Sequence, residues 1–168
     1  MSVALQERFI QAVCTSVSSL FSTMVPMDVD TSHAASQASP SAQGYPQELV
    51  GTIDIRGGIS GSISILLSYP LAISMASLML EEELDEVNED VYEAVAEITN
   101  IIAGGIKTSL SQNGQAFLLG LPQVFDLGPE SNQVFPKAGK DQTPLSIPIQ
   151  TGQGAFCVAS LLREERPL

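Results

Sequence analysis

The chain reads as an α+β domain, an antiparallel sheet with helices packed on it, and three observations carry that reading. A helical apolar stripe opens the sequence, strand-like alternation fills residues 49–67 and 145–162, and a long amphipathic helix over residues 88–111 lies between those two regions. Helix, strands, two helices and strands, in that order, is the pattern of helices packed on an antiparallel sheet.

Phe9, Ile10, Val13, Val17, Leu20, Phe21 and Met24 recur at helical spacing after the polar run Gln6, Glu7 and Arg8. They predict an amphipathic first helix, which is neither a signal peptide nor a membrane span. An edge strand is expected over 25–32. The Ser-, Ala-, Gln- and Pro-rich run 34–46 is expected to be a mobile loop. Leu49, Ile53 and Ile55 then alternate with polar residues, Gly57-Gly58 marks a tight turn, and Ile59, Ile63, Ile65 and Leu67 continue as a second strand. Ser68 two residues before Pro70 signals a helix start, and residues 71–80 are apolar nearly all round, so that helix is buried on several sides or faces a partner. The acidic run 81–90 leads into the long helix, where carboxylates favour the helix dipole; it lacks the ligand spacing of a calcium loop. Asn113-Gly114 stops the long helix, a short strand is expected over 116–119, and a loop over 127–142. Leu145, Ile147 and Ile149 alternate, 151–154 turns, and 156–162 returns as the last strand.

Length and composition narrow the function. A chain of 168 residues is one domain, 1–168, with a real core. Nineteen acidic residues against seven basic ones give a net charge of -12, which disfavours nucleic-acid phosphates and anionic membranes as partners. Cys14 and Cys157 stand far apart, with no CxxC and no His/Cys cluster. Two reduced thiols of a cytoplasmic protein are expected, and no metal site. The single histidine, His33, falls in the low-complexity run and reads as a surface residue. No nucleophile elbow, phosphate-binding glycine loop, dinucleotide fingerprint or zinc spacing occurs.

What remains is a stripe on the long helix. At about 100° per residue, Val91, Ala94, Val95, Ile98, Ile101 and Ile102 fall in one apolar arc. Glu97, Asn100 and Gly104 lie within roughly 60° of one another on the far side, joined by Glu93 and Ser111. A core does not require that stripe. A carboxylate and a carboxamide three residues apart project side by side, and a helical glycine costs about 1 kcal/mol relative to alanine unless something must come close. Gly105, one residue on, turns back to the apolar arc and is expected to serve close packing.

The run EAVAEITNIIAGGIKTSL, residues 93–110, resembles the active helix of the CheX chemotaxis phosphatases, a family that also contains CheC and FliY. Its pattern is Asp or Ser, three residues, Glu, two residues, Asn, then a proline a little over twenty residues later. Glu97 and Asn100 match the Glu and Asn, and Pro122 follows Asn100 with 21 residues between. Residues 7–24 and 51–68 resemble the family's first helix and central hairpin. Two positions depart from the pattern: Glu93 stands where the family has Asp or Ser, and Gly105 where relatives often have a polar residue. The first helix has Ile10 three residues after Glu7, so it is not a second active helix of the CheC kind.

The resemblance implies a phosphatase that stimulates hydrolysis of the aspartyl phosphate of a CheY-like receiver domain, the response-regulator module of two-component signalling. By it, Asn100 positions the attacking water, Glu97 pairs with the receiver's lysine, and Glu93, Gly104 and Pro122 are partner-facing, while Pro122 on its local signal reads as a structural strand-end or turn residue. The protein needs no cofactor of its own, since the receiver brings its Mg²⁺. A homodimer paired through the sheet is also implied. The competing classes are a non-catalytic receiver-binding or signalling scaffold of the same fold and a module of the flagellar switch.

Overall fold

A computed structural model describes residues 1–42, 44–129 and 138–165. Helix α1 spans Val3–Thr23, with Ser2 as its N-cap accepting from the Leu5 N–H. Strand β1 is Val29–Asp30 and helix α2 is Ala34–Gln37. The hairpin β2, Leu49–Gly57, and β3, Ile59–Leu67, turns where Gly57 adopts φ 148°, a left-handed conformation suited to glycine. Helix α3, Tyr69–Leu80, starts at Ser68, whose Oγ accepts from the Leu71 N–H at 3.2 Å. Helix α4, Glu89–Ser111, starts at Asn88, whose Oδ1 accepts from the Val91 N–H at 3.1 Å, with Glu89 and Asp90 in its first turn. The chain closes with β4, Phe117–Leu119, β5, Gln123–Asp126, β6, Thr143–Thr151, and β7, Gly154–Glu164.

The strands form one antiparallel sheet ordered β1-β6-β7-β3-β2-β4, and β5 also pairs with β2. Alternation sorts the sheet's faces as the pleat requires. Leu49, Ile53, Ile55, Ile63, Ile65, Leu67, Ile147, Ile149, Phe156 and Val158 join the core beneath α1, α3 and α4. Phe21 of α1 stacks on Phe156 of β7, ring centroids 5.9 Å apart. On the opposite face Val50, Leu66, Cys157 and Ala159 are covered by Ala42, Tyr45 and Leu127.

Four expectations change. Only Val29–Asp30 of the stretch 25–32 is strand, because only Val29 and Asp30 reach β6. The run 34–46 carries structure: it holds α2, pairs Ser39 with Ser146 of β6, and buries Ala42 under the sheet. Met24 caps α1 and is exposed, and Ile101 is only half-buried. The loop expected over 127–142 begins directly after a strand that the sequence pattern missed, β5, and its residues 130–137 lie outside the described residues.

Two glycines let α4 come down onto its neighbours. A Cβ on Gly51 of β2 would stand 2.0 Å from Thr99 Oγ1, and one on Gly105 would stand 2.2 Å from Ser16 Oγ of α1. Ser16 Oγ uses that proximity to donate to the Ile102 carbonyl at 2.9 Å. Gly104, in contrast, has open space where a side chain would be. Gly105→Ala is therefore expected to lower stability by about 1–3 kcal/mol through overpacking, while Gly104→Ala raises it by up to about 1 kcal/mol through helix propensity. Thermal melts of the two variants check the contrast.

Candidate functional site

Helix α4 divides cleanly by environment. Val91, Ala94, Val95, Ile98, Thr99, Ile102, Ala103, Ile106 and Leu110 are buried against the sheet, α1 and α3. Thr99, a polar residue in that buried set, satisfies its hydroxyl by donating to the Val95 carbonyl at 2.7 Å. Glu93, Glu97, Asn100 and Ser111 are exposed and Gly104 is half-buried. The four expected helix-borne site residues thus share one solvent-facing stripe, held rigid from behind. Among the described residues no hydrogen bond or ion pair engages the Glu97 or Asn100 side chain. Both are left available to a partner.

Pro122 comes from another element, just ahead of β5. Gln123 pairs with Thr52, and the Gly120 N–H donates to the Asp54 carbonyl at 2.8 Å, so Pro122 lies beside Ile53 at the edge of β2. Helix α4 runs along β2 in the same direction: Thr99 packs on Gly51, and beyond the helix the Ala116 carbonyl accepts from the Gly58 N–H at 3.0 Å. Along the strand axis Asn100 follows Thr99 past Gly51, and Pro122 comes further on, beside Ile53.

A third feature had no sequence signal. The Tyr92 hydroxyl of α4 donates to Asp126 Oδ2 at 2.9 Å, the Tyr69 hydroxyl of α3 donates to Asp126 Oδ1, and the Gly128 N–H donates to that same oxygen at 3.0 Å. Asp126 ends β5. Tyrosines placed on two helices and a carboxylate on a strand only become neighbours once the chain has folded. The hydrogen bond from Tyr69, aided by that from Tyr92, holds the Asp126 carboxyl below the usual carboxylate range. Bonding to Asp126, with burial second, pushes Tyr69 up to about 12, and the same causes raise Tyr92.

The remaining expected features fall as follows. His33 is exposed at the start of α2. Cys14 and Cys157 are free thiols, and burial pushes Cys157 up to about 12 and raises Cys14, so neither is an activated nucleophile. Among the described residues no cluster of three or more His, Cys, Asp or Glu could hold a metal ion, and no helix is long and apolar enough to cross a membrane.

Fold and site together define a CheX/CheC-like domain that offers a carboxylate and a carboxamide on the outer face of a clamped helix. The chain belongs to the CheX family: the family's sequence model, Chemotaxis phosphatase CheX, matches residues 49–150. Its fold is that of CheX from Vibrio vulnificus (22% identity, TM-score 0.78, 92% of this chain and 99% of that one). CheX from Desulfovibrio desulfuricans is similar (24%, TM-score 0.76, 92% and 99%). So is the CheX of a CheX–CheY–BeF₃–Mg²⁺ complex from Borrelia burgdorferi (22%, TM-score 0.71, 93% and 98%). No curated protein sequence matches the chain significantly.

The tyrosine–carboxylate cluster has a pH signature. A depressed carboxyl stabilises the fold above its ordinary pKa, and that contribution is lost as pH falls through the lower folded value. A raised phenol stabilises below about 10, and its contribution is lost as pH climbs through about 12. Ultraviolet titration is expected to show one tyrosine ionising near 12, returning toward 10 in Asp126→Asn; a wild type with three ordinary tyrosines would contradict the cluster.

Proposed function

We propose that this protein stimulates hydrolysis of the aspartyl phosphate of a CheY-like receiver domain, with Asn100 placing the attacking water and Glu97 docking the partner. The observation that supports this most is the paired exposure of Glu97 and Asn100 on a helix whose opposite side is fully committed to the core. Family membership and a relative whose structure holds CheX with CheY, BeF₃ and Mg²⁺ point the same way.

The chemistry suits a site with no nucleophile of its own. A receiver supplies the phosphorylated carboxylate, Mg²⁺ and a lysine, so the phosphatase needs only to hold a water in line with the phosphorus–oxygen bond. A carboxamide does this without ionising: its oxygen accepts from the water while its NH₂ donates to a neighbouring oxygen. Glu97, one turn away, is placed to receive the receiver's lysine in a charge-assisted bond that docks and orients at once. Open space over Gly104 admits the receiver surface, and Glu93 and Pro122 border the contact.

Asn100→Ala is expected to lower stimulated dephosphorylation about a hundredfold while leaving the fold and receiver binding intact. Glu97→Ala weakens binding and turnover together, and Gly104→Leu blocks the partner while thermal stability holds or rises. Phosphate release from phosphorylated receiver, with binding measured in parallel, checks all three. Wild-type turnover by Asn100→Ala would remove the water-positioning role, and the scaffold reading would follow if wild type binds receiver without accelerating phosphate loss.

A homodimer belongs to the same proposal. Leu118 and Leu121 are 70% and 86% exposed and Phe125 is 44% exposed, all along the outer strands β4 and β5 and their connection. An apolar sheet edge of this kind is a pairing surface. Light scattering at micromolar concentration is expected to give twice the monomer mass, and Leu118→Lys with Leu121→Lys to give the monomer; a monomeric wild type contradicts the pairing.

A further inference from the structure

The geometry points to Asp126 and its two tyrosines as the device that fixes the Asn100 face of α4 against the Pro122 corner, making Asp126, Tyr92 and Tyr69 positioning residues for the reaction. This inference rests on the phosphatase reading of the α4 face and adds to it residues outside the Glu–Asn–Pro pattern.

Two lengths measured from the clamp carry the argument. Asn100 lies eight residues beyond Tyr92 along α4, about 12 Å at the helical rise. Pro122 lies four residues before Asp126 along β5, about 13 Å at the strand rise. Strand β5 runs antiparallel to β2 and α4 runs along β2, so both segments lead in the same direction away from the corner that the clamp joins. A slip at the clamp moves Asn100 and Pro122 relative to each other by the same amount.

Backbone pairing ties β5 to β2 and packing seats α4 on β2, and the Tyr92–Asp126 hydrogen bond joins α4 to β5 directly. Strand β5 has four residues, of which Gln123, Phe125 and Asp126 are exposed, and its backbone is tied to β2 alone. Asp126 accepts from both helices and from the Gly128 N–H. The same corner is braced by Glu48, whose carboxylate accepts from the Tyr69 N–H at 2.6 Å and whose carbonyl accepts from the Leu127 N–H at 2.8 Å. The clamp thus joins the start of β2, the start of α3, the first turns of α4 and the end of β5. In-line attack is sensitive to misplacement: about 1 Å can cost on the order of a hundredfold.

The test is steady-state dephosphorylation of a phosphorylated receiver by wild type, Asn100→Ala, Tyr92→Phe, Asp126→Asn and Asp126→Ala, well below each melting temperature. Tyr92→Phe keeps the ring and removes only the donor. The clamp predicts that kcat falls about tenfold in Tyr92→Phe and Asp126→Ala with KM changed less than about twofold. Asp126→Asn, which retains an acceptor, recovers part of the loss. If these variants melt earlier but keep the wild-type kcat, the cluster is only a stabiliser and the inference is overturned. An active wild type with an inactive Asn100→Ala leaves the reading of the site standing in that event. A wild type without activity overturns the reading and the inference together.

Discussion

The outer face of α4 depends on how closely that helix sits on β2 and α1. The seat is made of two missing side chains: Gly51 leaves room for Thr99, and Gly105 leaves room for Ser16, each within a distance that a Cβ would violate. Close approach then secures the helix by interior polar bonds, Ser16 to the Ile102 carbonyl and Thr99 to the Val95 carbonyl, both satisfied and both buried. A helix fixed on its inner half presents its outer half as a rigid template. That rigidity suits the proposed role, in which the α4 side chains act by position.

The outer half is specialised by subtraction. Glu93, Glu97 and Asn100 are exposed, among the described residues no hydrogen bond or ion pair engages their side chains, and a Cβ on Gly104 would meet open space. The proposed receiver contact would account for a glycine at that position. The net charge of -12 fits the proposed docking, in which a carboxylate on an acidic protein meets a cation on the partner. The clamp of Tyr69, Tyr92 and Asp126 extends the template from the helix to the sheet edge.

Legibility in the sequence followed the strength of local periodicity. The α4 arc and the β2–β3 hairpin were readable because 23 residues at period 3.6 and two nine-residue strands leave few alternatives. The contrast between Gly104 and Gly105 was readable for the same reason, since one residue turns a helix by about 100°. Strand β5 was not: Gln123–Asp126 is four residues with no clear alternation, and only its register with β2 makes it a strand. Helix α2 and the buried Ala42 were hidden by a composition that resembles a loop, because small residues cover a sheet without a periodic signature. Glu97 and Asn100 stood out from the helical wheel, and their roles came from a resemblance. The place of Pro122 beside β2 and the Asp126 cluster needed the folded chain, because contacts between α3, α4 and β5 leave no trace in spacing.

The most direct measurement is the rate of phosphate release from a phosphorylated CheY-like receiver with Mg²⁺, alone and with this protein at substoichiometric amounts. The account predicts faster loss with multiple turnovers per phosphatase molecule. Release at the receiver's own rate, across receivers that the protein demonstrably binds, would contradict it.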